Sequence, residues 1–379
     1  MNRFSFLSQQ SDRARVPVAL LSGFLGSGKT TLVNALLRDP RMAGTAVAVN
    51  EFGEIPLDRD LIDHGADKTV VLANGCLCCN LAGDMEDAVM RQFSRREGAE
   101  VPRFERLIIE PSGLSDPAPI AQAILRNPMM SRVFRLETIV TVVDAMFAPM
   151  QAERHPEWAR QVALADRLVL TKTDLVDENG VERAQAAVRA CRPAAPVVAA
   201  SFGAMDAAVL FPESALDPGV AGVGRSLLFA DDGDRGHAGR YAAVSVVADR
   251  PLDWRAFDAW LRRIRIDYSE QLLRVKGMLD IAGVDGPVVV QGVHHVLNAP
   301  VELDAWPDAG RQSRLVLIAD RDTVEVARRT WVEALLGMMV GESRSSRGND
   351  PATLDTFRYG GIGGTAPNRE HRNGNDPEG

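Results

Sequence analysis

The sequence predicts an α/β protein built on a doubly wound, mostly parallel sheet, followed by a small α+β domain. Three observations carry this. Short β-branched runs between Val16 and Phe211 are nearly continuously apolar, as strands buried on both faces are. Helical patterns separate those runs, which is the order of successive βαβ units. The alternation then dissolves over 212–240 and resumes with a different mixture of strands and helices.

In chain order, the strand candidates of the first half are Val16–Leu21, Ala46–Asn50, Val70–Leu72, Arg106–Ile109, Thr138–Val143, Leu168–Leu170 and Val197–Ala200. Between them, Thr31–Arg38, Asp84–Arg95, Pro117–Arg126 and Val181–Ala190 carry apolar residues at helical spacing. A sheet of this kind binds ligands at the carboxyl ends of its strands. Pro212, Pro218, Gly219, Gly222 and Gly224 then lead into the polar run Asp231–His237, which reads as a domain boundary. Beyond it come a strand (Ala242–Val247), a helix (Trp254–Ile264), three strands (Leu272–Ile281, Val288–Val293, His295–Asn298), a strand (Arg314–Ile318) and a helix (Thr323–Leu336). After residue 340, Gly, Pro, Asn and Ser make up 18 of 39 residues, too little apolar material to offset the entropy of ordering. The expected organisation is a tail over 1–15, a first domain over 16–211, a linker over 212–240, a second domain over 241–338 and a disordered tail over 339–379.

Composition limits the function classes. Of 379 residues, 46% are apolar and 25% charged, enough for full globular cores, and the length suits two domains. The 43 basic and 51 acidic residues give a net charge of −8, a poor balance for gripping nucleic acid or anionic lipid. Three of the four cysteines sit together at 76, 78 and 79, unlike a spread disulfide framework, so a reducing cytoplasm is expected. No apolar run approaches the roughly 18 residues of a membrane span. Met1–Arg15 lacks the apolar core of a secretory signal.

Gly23-Phe24-Leu25-Gly26-Ser27-Gly28-Lys29-Thr30 fits the phosphate-cradling pattern and lies between a predicted strand and a predicted helix. Glycines let backbone N–H groups wrap phosphate oxygens, the lysine adds a point charge at the β- and γ-phosphates, and the threonine hydroxyl suits Mg²⁺. The following helix adds its positive end. Gly23, Gly26, Ser27, Gly28, Lys29, Thr30 and Thr31 are therefore the candidate phosphate site. Downstream, Glu110 ends a buried strand where it can reach Mg²⁺, its water shell or an attacking water, and Gly113 can offer an N–H to a γ-phosphate. Lys29, Glu110 and Gly113 are the candidate catalytic residues.

Leu170-Thr171-Lys172-Thr173-Asp174 follows a late strand. A carboxylate at 174 accepts from the ring N–H and amino group of guanine, a pair adenine lacks, while the Lys172 stem covers the ring; an unpaired carboxylate penalises the wrong base. Thr171 keeps a hydroxyl to brace the loop, a weaker brace than the commoner Asn. Ser201, after the next strand, is placed to support the base from below.

Asn74-Gly75-Cys76-Leu77-Cys78-Cys79 brings three thiols into four residues. Run extended, Cys76 and Cys78 face one side and Cys79 the other, so convergence needs a turn. Three thiolates suit Zn²⁺ or Co²⁺ and not Mg²⁺. Inert buried thiols and a redox pair are the alternatives. Cys191 stands alone and reads as packing. Glu51, Glu54 and Asp58 follow the second strand as candidates for sensing Mg²⁺ or completing a metal shell, Glu54 foremost.

In this order, Gly23–Thr31, Asn50–Glu54, Asn74–Cys79, Glu110–Pro119, Val142–Ala145 and Thr171–Leu175 resemble the CobW-type family of P-loop GTPases, and Leu272–Gly277, Val290–His295 and Ser313–Ile318 resemble its C-terminal domain. The resemblance implies a slow GTPase acting as metallochaperone or metal insertase, with Zn²⁺ or Co²⁺ on Cys76, Cys78 and Cys79 and nucleotide with Mg²⁺ on Gly23–Thr30. It implies delivery to a client apo-protein or to cobalamin synthesis. Family members often carry a His-rich linker; here that segment holds one histidine, His237, so the cysteines must bind the metal. His294 and His295 sit on a strand pattern and read as core or surface histidines. GTP, metal and client are the expected partners, with neither nucleic acid nor membrane; a homodimer is left open. The rival reading is a nucleotide-binding redox switch whose three thiols form a regulatory disulfide.

Overall fold

The computed structural model describes residues 7–49, 70–73, 83–191, 196–200, 207, 211, 240–306 and 310–340. In chain order, β1 (Leu7–Ser8) and α1 (Gln9–Arg13) precede β2 (Val16–Gly23), α2 (Lys29–Leu37), β3 (Thr45–Val49), β4 (Val70–Ala73) and α3 (Gly83–Glu97). There follow β5 (Arg106–Glu110), α4 (Pro117–Arg126), α5 (Met130–Val133), β6 (Phe134–Asp144), α6 (Ala148–Arg154) and α7 (Pro156–Leu164). Strand β7 (Arg167–Thr171), α8 (Glu178–Cys191) and β8 (Val197–Ala199) complete the first half.

Strands β2 to β8 form one sheet in the order β4-β3-β5-β2-β6-β7-β8, with every pairing parallel. The apolar runs are continuous because successive residues serve opposite faces. Val18 and Leu20 enter one core with Ile109 and Ile139, whereas Ala19 and Leu21 enter another with Leu32, Val33 and Leu36 of α2. Each fully buried leucine contributes about 1.5–3 kcal/mol by leaving water. Parallel register sends the ends of β2, β5, β6 and β7 to one edge, at Gly23, Glu110, Asp144 and Thr171.

The second sheet uses β9 (Tyr241–Ala248), α9 (Trp254–Asp267), β10 (Leu272–Leu279), β11 (Val288–Val293), β12 (Val296–Leu297), β13 (Val301–Glu302), β14 (Ser313–Asp320) and α10 (Arg321–Leu336). Its order is β1-β13-β11-β10-β14-β9, with β12 on β11; only β1 against β13 is parallel. Leu315 and Leu317 face Phe257, Leu261 and Trp331 of α9 and α10, while Val316 and Ile318 join Tyr241, Leu273 and Val293 in the core beneath α4 and α7. The alternation of β14 thus seats the second sheet on the first domain's helices. No described helix is long and apolar enough to cross a membrane.

Two expectations are corrected. Residues 7–13 do not form a loose tail: β1 adds to the second sheet, and Asp12, 3% exposed, pairs with Arg15, whose Nη1 donates to the Ser131 carbonyl at 3.1 Å. His294 and His295 are not strand residues but the two-residue turn between β11 and β12, with His294 in the left-handed region at φ +50°. The expected linker over 212–239 and everything beyond 340 lie outside the described residues.

A buried charge joins the two sheets. Asp166, just before β7, accepts from Arg274 at 2.8 Å, from Lys276 at 2.9 Å and from the Ile139 amide at 2.9 Å. Burial alone would raise its pKa; the charges of Arg274 and Lys276, with hydrogen bonds from Lys276 and Ile139, hold it well below the carboxylate range.

Candidate functional site

The loop after β2 is shaped by its glycines. A Cβ on Gly23 would stand 2.4 Å from the Val142 carbonyl oxygen of the neighbouring strand, and Gly28 has φ +96° at the N-cap of α2. That helix has no side-chain cap hydrogen bond at its N-terminus, the arrangement of a helix start that takes an anion. Lys29 is buried and folds back, its Nζ donating to the carbonyls of Gly23 at 2.9 Å and Phe24 at 3.3 Å. Thr30 donates through Oγ1 to Glu110 Oε1 at 2.9 Å, and Glu110 is only 3% exposed. A hydroxyl and a carboxylate at this separation are hard oxygen donors of the kind Mg²⁺ takes. Ser27 is buried beneath the loop, Gly26 is exposed and Thr31 is exposed on α2.

The turn after Glu110 is closed by the Ser115 amide donating to the Ser112 carbonyl at 2.9 Å. A Cβ on Gly113 would meet Leu25 N at 2.6 Å and Leu25 Cα at 2.8 Å, so this turn lies against the phosphate loop's backbone. Gly113→Ala must therefore push the turn off that backbone. It is expected to slow GTP hydrolysis on the order of 10²-fold, as an ångström of misplacement does. Single-turnover rates check this, and an unchanged rate would show that the turn is not positioned for the reaction.

The second loop is pinned to the first. Thr171 Oγ1 donates to the Ser27 carbonyl at 2.7 Å, with the Val143 carbonyl at 3.2 Å, so the hydroxyl at 171 makes a full brace. Lys172 takes φ +56°, a conformation costing an L-residue about 1–2 kcal/mol, and is held there by its Nζ donating to the Gly26 carbonyl at 2.7 Å and Asp144 Oδ2 at 2.6 Å. Asp174 follows in a 3₁₀ turn, exposed and open to a base. Asp144 was not singled out from sequence; the available signal was the same as for Glu110, an acid ending a buried strand.

The structure thus brings Gly23, Gly26, Ser27, Gly28, Lys29, Thr30, Glu110, Gly113 and Lys172 to one sheet edge, with Asp174 beside them. Ser201, Cys76, Cys78, Cys79, Glu51, Glu54 and Asp58 lie outside the described residues. Among the described residues, no group of three or more His, Cys, Asp or Glu is placed to hold a metal. Cys191, buried at the end of α8, has its thiol pushed up to about 11 by burial and is inert packing.

A phosphate loop braced directly by a Thr-Lys-x-Asp loop, on the carboxyl edge of a parallel sheet, defines a P-loop GTPase. Comparison with known families agrees. The family described as "CobW/HypB/UreG, nucleotide-binding domain" matches residues 17–199, and "Cobalamin synthesis protein cobW C-terminal domain" matches residues 241–335. The chain belongs to the CobW family. It is 31% identical to the zinc chaperone YjiA of Escherichia coli, over 80% of this chain and 93% of that protein. It is 30% identical to the zinc chaperone CobW of Pseudomonas aeruginosa, over 80% of this chain and 88% of that protein. The crystal structure of Zn(II)-bound YjiA GTPase from E. coli superposes with a TM-score of 0.62 at 25% identity, covering 86% of this chain and 99% of that one.

Proposed function

We propose that this chain hydrolyses GTP slowly to control the capture and release of Zn²⁺, which it hands to a client apo-metalloprotein in the cytoplasm. The observation that carries the reading is the pinning of the base loop to the phosphate loop by Thr171 and Lys172, which lets one rigid edge read guanine and phosphate together. Relatives named zinc chaperones at about 30% identity support zinc as cargo. Cys76, Cys78 and Cys79 supply its thiolates, and Co²⁺ is the competing ion at such a donor set.

In this reading Lys29 and the α2 N-terminus hold the phosphates, and Asp174 reads the base with Lys172 covering it. Thr30 and Glu110 would hold Mg²⁺, which when bound would supply charge neutralisation at the phosphates. Gly113 offers its N–H where the γ-phosphate would lie, so the turn responds to hydrolysis. GTP binding favours zinc capture by Cys76, Cys78 and Cys79, and hydrolysis favours its release.

Reciprocity then requires zinc to tighten GTP binding by the factor with which GTP tightens zinc, about 5- to 150-fold. Competition titration with a zinc chelator, in the presence of a non-hydrolysable GTP analogue and then of GDP, measures it. Equal zinc affinities in the two states would remove the proposal.

A further inference from the structure

One fully buried polar side chain has no part in the site as described so far. Gln161 of α7 is 0% exposed, and its Nε2 donates to the Gly113 carbonyl at 3.1 Å and the Ser115 carbonyl at 3.0 Å. The turn those carbonyls belong to is the one lying against Leu25, so it is held between the phosphate loop and a single amide. The residue is anchored through its main chain, because Thr141 Oγ1 of β6 donates to the backbone carbonyl of Gln161 at 2.9 Å. Both of its side-chain donors are spent on this turn, while among the described residues its Oε1 is buried with no hydrogen-bond partner, so the donors alone repay part of the desolvation cost.

The adjacent residue reaches the far end of the same segment. Arg160 Nη1 donates to Asp116 Oδ2 at 3.0 Å, and Asp116 caps α4 by accepting from the Ala118 amide at 2.9 Å. The Arg160 guanidinium also lies beside Tyr241, the buried first residue of β9. Two neighbouring side chains on α7 therefore hold the segment from Gly113 to Asp116, and Arg160 stands next to the second sheet.

We infer that Gln161 and Arg160 are positioning residues that set the Gly113–Asp116 turn for GTP and transmit its position to the second sheet through Tyr241. The inference builds on the proposed metal-coupled cycle and names the regulation of that same site. It explains why the second sheet packs on α4 and α7: α4 follows the turn directly and α7 holds it from behind. A γ-phosphate that moves the turn must then work against the seating of the second sheet. Anything that binds the second sheet biases the turn in return.

The test uses the full chain and two small substitutions. Gln161→Met keeps length and volume but removes both donors; Tyr241→Phe removes one hydroxyl. Affinities for a non-hydrolysable GTP analogue and for GDP are measured without added zinc, together with kcat and KM for GTP. For Gln161→Met the expected result is a fall in kcat of about tenfold, the scale of two neutral hydrogen bonds, with GDP affinity within about twofold of the parent. For both variants the ratio of GTP-analogue to GDP affinity should move at least threefold. Lowered melting temperatures with that ratio and kcat at parental values would make both residues merely structural and overturn the inference. Should Gln161→Met fail to fold, the ratio in Tyr241→Phe decides alone. Because these readouts need no added zinc, a parent chain that shows no zinc coupling would remove the proposed function while still leaving the clamp to be judged.

Discussion

Asp166→Ala is expected to lower the unfolding free energy by about 3–5 kcal/mol, the usual effect of removing one partner from a buried ion pair. The reason is what remains. Arg274 keeps a side chain only 2% exposed and Lys276 one only 15% exposed, and both lose the carboxylate that compensates them. The Ile139 amide loses its acceptor as well. Pairing Asp166→Leu with Arg274→Met, which removes the two most buried charges together, should recover much of the loss, because well-packed apolar groups often replace a buried pair at little cost. Urea unfolding monitored by tryptophan fluorescence measures both, and a loss under about 1 kcal/mol for the alanine variant would show that the pair does not hold the sheets together. The pH dependence has a definite sign. Ionised Asp166 is favoured in the folded state, so its contribution is fully present above the ordinary carboxylate value of about 3.9 and disappears only as pH falls below it. Across neutral pH the stability difference between parent and variant should stay flat.

What the sequence revealed and what it hid follow one physical division. The phosphate loop was legible because its glycines answer to backbone geometry: Gly23 leaves no room for a Cβ, and Gly28 is left-handed at the start of α2. Two-sided burial writes itself into a strand, so β2, β6 and β7 were found within a few residues of their ends. Side chains whose meaning lies in a distant partner left no such trace. Gln161 is an unremarkable residue of a short helix until the Gly113 and Ser115 carbonyls are seen beside it, nearly fifty positions earlier in the chain. Asp166 reads as a loop acid until Arg274 and Lys276 meet it from the other sheet. The turn at His294 and His295 escaped because no Gly or Asn marks it; the left-handed conformation falls on a histidine. Residues 7–13 escaped because strand β1 is two residues long and draws its order from β13 and the ion pairs of Asp12.

Asp174→Asn is expected to exchange the preferred base. Guanine presents a ring N–H and an amino group side by side, two donors that suit a carboxylate's two acceptor oxygens. Xanthine keeps the ring N–H but carries a carbonyl in place of the amino group. An asparagine amide meets that edge with one acceptor and one donor, whereas it sets donor against donor on guanine. Two charge-assisted hydrogen bonds are at stake, so GTP affinity should drop on the order of 10²–10⁴-fold while XTP gains over the parent. The fold should not change, because Asp174 is exposed and the brace runs through Thr171 and Lys172. Phosphate contacts through Lys29 and the α2 N-terminus are common to both nucleotides, so the ratio of the two affinities isolates base reading from phosphate reading. If equilibrium titration with fluorescent GTP and XTP shows the two changing in parallel, the carboxylate at 174 is not the group that reads the base, and guanine selection must be sought elsewhere along this edge.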